Sequence, residues 1–243
     1  MNFVKTFGFR VYSDSLSRIK LEENKKITIN TISPNSYGIS TKDSLFKESL
    51  KESDYLVLDG VYFALSAFFL QGKNIKKNQG PDLFKFFMEK MNSECGRVFF
   101  LGSSTETLNK IKQRLKSDYK NITSGFLSPP FKSEFTIEDN NIMIDTINEF
   151  KPDIVFIGMT CPKQEKWAHQ NKGELNTKLI CSIGAVFDWY AGNQKDIHPI
   201  WWKLRLGWLK RTIDRPEILK RYPNIAIFFW HLLLSILRIR NIK

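Results

Sequence analysis

The sequence predicts an α/β fold built on a parallel sheet, followed by a basic helical segment. Three observations carry that expectation. Five short apolar runs, Ile27–Ile32, Tyr55–Leu58, 98–101, 154–157 and 179–183, have the length and continuity of strands buried on both faces. Helix-like stretches lie between them: 105–116 places Leu108, Ile111 and Leu115 on one stripe, and 139–150 reads the same way. Strands alternating with helices form βαβ units, which close into a parallel sheet.

The strand ends carry the candidate chemistry. Ligands of an open parallel sheet bind at the carboxyl ends of its strands, where helix N-termini offer free N–H groups. Leu58 runs into Asp59-Gly60, Leu101 into Gly102-Ser103-Ser104, Ile157 into Gly158-Met159-Thr160-Cys161-Pro162, and Ile183 into Gly184. Asp59 has two readings. It is a base placed to take a proton from an attacking hydroxyl, or a turn carboxylate capping a helix over 61–70. Pro162 suits the first turn of a helix. Lys163 and Gln164 then stand where a diphosphate or a sugar hydroxyl can be held; the plainer reading makes 164–166 an exposed first turn with Trp167 in the core. Asp188, among apolar neighbours, needs a hydrogen-bonded partner and either organises its loop or contacts ligand.

From about residue 199 the character changes. Residues 195–243 hold 11 Lys and Arg against 3 Asp and Glu, so +8 of the chain's net +12 lies there, with four of its six tryptophans. That mixture suits an anionic membrane surface, with cations at lipid phosphates and rings at headgroup level. The alternative is a basic solvated helix packed on its own domain. The run 225–237 is too short to span a bilayer and either lies in the interface or packs on the protein. The predicted division is a catalytic, nucleotide-binding domain over 1–194 and a helical, membrane-associating appendage over 195–243.

Composition removes other classes. Cys95, Cys161 and Cys181 form no metal spacing and suit reduced thiols. Residues 1–14 lack the apolar core of a signal peptide. There is no G-x-G-x-x-G, Walker loop or serine elbow. There is also no Asp-x-Asp to bridge a metal to a nucleotide sugar. No RNA-binding aromatic motif accompanies the positive charge, so no nucleic-acid partner is expected.

Several ordered motifs together resemble one family. These are Ser33-Pro34-Asn35, Ser53-Asp54 through Asp59-Gly60, Gly80-Pro81-Asp82, Phe100-Leu101-Gly102, Pro162-Lys163-Gln164-Glu165-Lys166-Trp167, Gly184-Ala185-Val186-Phe187-Asp188, Gly207-Trp208-Leu209-Lys210-Arg211, and the stretch from Arg215 to Tyr222. Across nearly the whole chain they resemble the WecG/TagA/CpsF glycosyltransferases, which build bacterial surface polysaccharides and teichoic acid linkages. The resemblance implies a Rossmann-like core and an inverting transferase that needs neither metal nor cofactor. It implies a UDP-linked sugar as donor, N-acetylmannosamine-type or a hexose, and a polyprenyl-diphosphate-linked acceptor. It implies work at the cytoplasmic face of the cell membrane, as a peripheral protein; self-association is left open. Asp59 matches the family's base, and Asn35 and Gln164 match polar pocket residues. Arg211, Arg215 and Arg221 match arginines that the C-terminal segment brings to the site. The chain departs from the pattern at Ser33, often Thr, at Tyr62, commonly Gly, and at Lys77, often Arg, which keeps charge but loses the bidentate fork. The loop after Leu101, with Gly102, lacks a second glycine. These changes line the expected pocket, with Gly60 and Gly158, and bear on which sugar is carried. The competing function is a nucleotide-binding module without catalysis, docked to a membrane complex; it would have no need of a base at Asp59.

Overall fold

The computed structural model describes residues 2–22, 25–60, 62–75, 78–193, 201, 203 and 207–237. It confirms the parallel α/β expectation and extends it. Eight strands form one sheet: β1 (Phe3–Thr6), β2 (Phe9–Tyr12), β3 (Ile27–Ile32), β4 (Tyr55–Leu58), β5 (Arg97–Gly102), β6 (Thr123–Leu127), β7 (Ile154–Gly158) and β8 (Leu179–Ser182). Their order is β1-β2-β4-β3-β8-β7-β5-β6, and all neighbours run parallel except the β1–β2 hairpin. The five strands read from the sequence are all present. The β1–β2 hairpin and the edge strand β6 were not anticipated.

The helices are α1 (Pro34–Ser40), α2 (Ser44–Lys51), α3 (Ala64–Gln71), α4 (Gly80–Ser93), α5 (Thr105–Asp118), α6 (Ile137–Phe150), α7 (Lys163–Asn171), α8 (Val186–Tyr190), α9 (Gly207–Asp214) and α10 (Tyr222–Ile236). Because the parallel strands are apolar on both sides, each sheet face needs a cover. On one face α4, α5 and α8 pack Phe84, Phe87, Leu108, Ile111 and Phe187 onto Val98, Phe100 and Phe156. On the other, α6 and α7 set Ile144, Ile147 and Trp167 against Phe99, Val155 and Ile157. The far half of that second face is closed by Tyr37, Phe46, Phe63, Ala67, Phe228 and Leu232, from α1, α2, α3, α10 and the turn before α3.

Helix α10 therefore has a packed side. Phe228 is fully buried among Phe7, Tyr37 and Phe63 rings. Its approach to α1 is backbone to backbone: a Cβ on Gly38 would lie 2.2 Å from the Asn224 carbonyl oxygen. The Tyr37 hydroxyl and His231 Nδ1 share a 2.8 Å hydrogen bond across the same contact. Phe229, Trp230, Leu233, Ile236 and Leu237 face outward. The run 225–237 thus packs on the protein along one side only. No helix among the described residues is long and apolar enough to cross a membrane.

Candidate active site at the carboxyl edge of the sheet

Topology assembles the site. The adjacent strands β5 and β7 send their following helices, α5 and α7, to opposite faces, and so do the neighbours β8 and β3 with α8 and α1. Such reversals open a crevice at the strands' carboxyl ends. Along that edge stand Asp59 and Gly60 after β4, Ser33 after β3, Gly184 after β8, Gly158 closing β7 and Gly102 closing β5. Register places them side by side: Ile32 pairs with Leu58, and Gly102 with Gly158.

Ser33 caps α1. Its hydroxyl accepts from the Ser36 amide while the Ser36 hydroxyl accepts from the Ser33 amide. Asn35 sits in the first turn, where its Oδ1 accepts from Asn224 Nδ2 of α10 at 3.2 Å. The C-terminal helix therefore holds a residue of the candidate pocket directly. Asp59 is exposed at the end of β4, its amide donating to the Ile32 carbonyl at 2.9 Å.

Gly158 lies flat under the Phe187 ring, where a Cβ would come within 2.4 Å of ring carbons. This close approach brings the β7 and β8 loops together. Gln164 bridges them: its Oε1 accepts from the Met159 amide at 3.3 Å and the Gly184 amide at 3.1 Å, and its Nε2 donates to Glu165 Oε1 at 2.9 Å. The exposed-first-turn alternative fails for two of its three residues. Gln164 is 3% exposed and Glu165 1%, and only Lys166 of the three reaches outward, to Asp43 of α2 at 3.0 Å. Trp167 is in the core as read, its Nε1 donating to Asn140 at 2.9 Å. The missed signal was periodicity, since Gln164 and Glu165 precede buried Ala168 by four and three positions.

Cys161, joined to Pro162 by a cis peptide bond, is the point where distant elements meet. Burial pushes its thiol well above the ordinary value, and the neighbouring Glu165 and Asp59 carboxylates act in the same direction while the Arg221 guanidinium opposes them. Asp59 from β4, Glu165 from α7 and Arg221 from the C-terminal segment thus share one electrostatic neighbourhood.

The remaining sequence candidates are less central. Lys163 sits 3.5 Å over the Phe135 ring and donates to the Lys132 carbonyl, toward the loop before α6. Asp188 accepts weakly from Asn193, which also bonds Thr107 and Lys110, so it fastens the loop after α8 onto α5. Arg215 pairs with Glu217 at 2.8 Å. Lys77 and the side chain of Arg211 lie outside the described residues.

Fold and edge together define a Rossmann-like α/β protein with a polar site at the carboxyl end of its sheet. The family model for the glycosyl transferase WecG/TagA/CpsF family matches residues 6–242, and the chain belongs to that family. It is similar to an N-acetylglucosaminyldiphosphoundecaprenol N-acetyl-beta-D-mannosaminyltransferase of Staphylococcus aureus (strain MRSA252), 23% identical over 222 residues, which cover 91% of this chain and 85% of that protein. A protein of the same name from Bacillus subtilis (strain 168) is 24% identical over 215 residues, covering 88% and 82%. The protein is a glycosyltransferase.

Proposed function

We propose that this glycosyltransferase moves a sugar, with inversion and without a metal ion, from a UDP-linked donor to a sugar carried on polyprenyl diphosphate. The observation that carries the reading is the place of Asp59 at the carboxyl edge, directly after β4 and beside the end of β3, with the Arg221 charge felt at the same Cys161 thiol as the Asp59 charge. A carboxylate and a guanidinium acting on one edge of the sheet suit the two charges of such a transfer. The Asp59 carboxylate takes the proton of the acceptor hydroxyl as its oxygen bonds to the anomeric carbon. The bond from that carbon to the diphosphate breaks on the opposite side, and its electron pair leaves on UDP. Arg221 offsets the charge that grows there, as a metal does in other transferases. Lys77 and Arg211 are proposed to assist. Ser33, Asn35, Gln164 and the glycines of the edge shape the pocket. The relatives' names specify an N-acetylglucosaminyl-diphosphoundecaprenol acceptor and an N-acetylmannosamine product linkage, which makes these the first substrates to try.

The lipid-linked acceptor supports a docked state at an anionic membrane, at the inner face of a bacterial cell membrane. The outward side of α10 and the exposed Phe68 and Phe69 of α3 supply an apolar face, bridged by the Tyr62–Phe229 ring contact. Helix α3 follows Asp59 by a short turn, so this face adjoins the proposed base. A second copy of the chain is the competing occupant of the same face.

The test is a screen of UDP-sugars with purified full-length protein and a synthetic lipid-diphosphate-N-acetylglucosamine acceptor, read by mass spectrometry. One donor is expected to add a single sugar to the acceptor, and the rate is expected to survive EDTA. Loss of transfer in EDTA with recovery on Mg²⁺ or Mn²⁺ would overturn the metal-free mechanism, and failure of every UDP-sugar would overturn the donor.

A further inference from the structure

Glu165 is a buried carboxyl group that the proposed transfer does not use. Each oxygen of such a group needs a hydrogen bond if it is to carry charge. Oε1 has one, from Gln164 Nε2. Oε2 has none among the described residues, and the Cys161 thiol, a weak donor, lies against the carboxyl. Gln164 is fully committed by this arrangement, its oxygen spanning the Met159 and Gly184 amides and its nitrogen turned to Glu165. A relay therefore runs from Glu165 through Gln164 to the carboxyl ends of β7 and β8.

The charged groups around the carboxyl do not neutralise it. On its own helix, Lys163 is drawn to the Lys132 carbonyl and Phe135, Lys166 to Asp43, and His169 toward Glu52 at 3.9 Å. The Asp59 carboxylate and the Arg221 guanidinium act on the neighbouring Cys161 thiol in opposite directions. From β8 and α8 the Gly184 amide is the polar group turned to the relay, while Asp188 is held at Asn193.

We propose that Glu165 is a positioning residue that acts through Gln164. Glu165 Oε1 accepts from that amide in either state and holds it across the β7 and β8 loops, and as a neutral acid Glu165 leaves the pocket open to a diphosphate. On ionising, it adds a negative charge beneath the carboxyl edge, tightens its hold on the Gln164 amide and weakens diphosphate binding. Burial pushes its pKa up to about 7, against the hydrogen bonds from Gln164, its own backbone and Cys161 that pull the other way. The exchange between the two states therefore falls in the neutral range. The diphosphate half of the proposal rests on the UDP-sugar donor proposed above; the Gln164 half does not.

Two measurements on the full-length chain test it. The first is the side-chain amide resonance of Gln164 in ¹⁵N-labelled protein, assigned by its loss in Gln164→Leu. It is expected to shift with a midpoint near neutrality in the wild type and to stay fixed in Glu165→Gln, which keeps an acceptor for Gln164 but has no proton to exchange. The second is calorimetric binding of UDP-N-acetylglucosamine, whose diphosphate is esterified at both ends and does not titrate in this range. Wild-type affinity is expected to fall roughly tenfold between about pH 6 and about pH 8.5, the size of one partly screened charge repulsion, and Glu165→Gln affinity to stay level. A wild-type Gln164 amide that does not titrate overturns the proposal, as does an equal fall in affinity for both proteins. If UDP-N-acetylglucosamine binds neither protein at any pH, the diphosphate half of the proposal fails, and the amide titration still decides the role of Glu165.

Discussion

Asp59 stands one residue beyond β4, exposed, beside the end of β3. Its position was legible because a strand run followed by Asp-Gly marks a carboxyl edge. Its role came from the ordered motifs around it, since a local pattern does not separate a base from a cap. Asp59→Asn keeps shape and removes basicity. Transfer is expected to fall on the order of 10²–10⁴-fold, the range for a lost general base, with an unchanged thermal midpoint. Near-normal turnover would remove Asp59 from that role. Glu165 was not legible as a buried group, because acidic residues in a first helical turn are ordinarily solvated. Its raised pKa also predicts a stability trend. The unfolded chain releases this proton near the usual glutamate value, while the folded protein holds it up to about pH 7. Between those values the folded state binds more protons, so rising pH costs stability, by at most about 3.5 kcal/mol in total. Below the unfolded value the contribution is fully present, and above the folded value the loss is complete. Urea unfolding of Glu165→Gln, which carries no such proton, is expected to show a gain over the wild type that is larger at pH 8 than at pH 4; a pH-independent difference would contradict the linkage.

At the scale of elements, strands buried on both faces were read correctly because a parallel sheet demands continuous apolar runs. The β1–β2 hairpin was missed for a specific reason. Its turn is Phe7-Gly8, and both residues have positive φ, 51° and 76°. Hairpin turns of this kind ordinarily show Asn or Asp at the first position. Phe7 takes the left-handed conformation here because its ring is buried against Tyr37, Phe63 and Phe228. Packing supplied by α10 thus offsets a local backbone cost that sequence proximity does not reveal. The α1–α10 contact was equally hidden, since nothing near Gly38 announces a helix from the other end of the chain. It yields a sharp expectation. A methyl at Gly38 meets the Asn224 backbone, which cannot rotate away as a side chain would. Gly38→Ala is expected to cost about 1–3 kcal/mol by overpacking. It should also lower transfer beyond that loss, because α10 carries Asn224 to Asn35 and begins where Arg221 ends. A variant with full activity and an unshifted thermal midpoint would show that α10 need not be seated for catalysis.

For the whole molecule, the sequence assigned the last 49 residues a basic, aromatic character and left their apolar run between membrane and protein. The two uses belong to different sides of one helix. Phe228 and Leu232 complete the core, so a chain ending at Asn193 would leave the Phe7, Tyr37 and Phe63 rings uncovered. Deleting a buried phenylalanine side chain alone typically costs about 3–5 kcal/mol. The outward side presents Phe229, Trp230, Leu233, Ile236 and Leu237 beside Phe68 and Phe69. Lys73, Lys220 and Arg221 are exposed near its margins in sequence. A polar protein seldom leaves so many large apolar groups together without a partner. An anionic bilayer satisfies both components, with apolar burial for the rings and about 1 kcal/mol for each well-placed cation. Paired Phe69→Ser and Trp230→Ser substitutions change only exposed side chains, 57% and 59% accessible, so the fold is expected to survive. Co-sedimentation with phosphatidylglycerol vesicles is expected to fall at least tenfold, and transfer to a vesicle-borne acceptor to fall with it. Transfer to a short-chain, water-soluble acceptor should be retained, because the carboxyl-edge pocket is untouched. Raising salt should weaken wild-type binding without abolishing it, since the cations are screened and the rings are not. If the wild type ignores these vesicles at low salt and sediments as a dimer that the two substitutions dissociate, the face belongs to a second copy of the chain and not to the membrane.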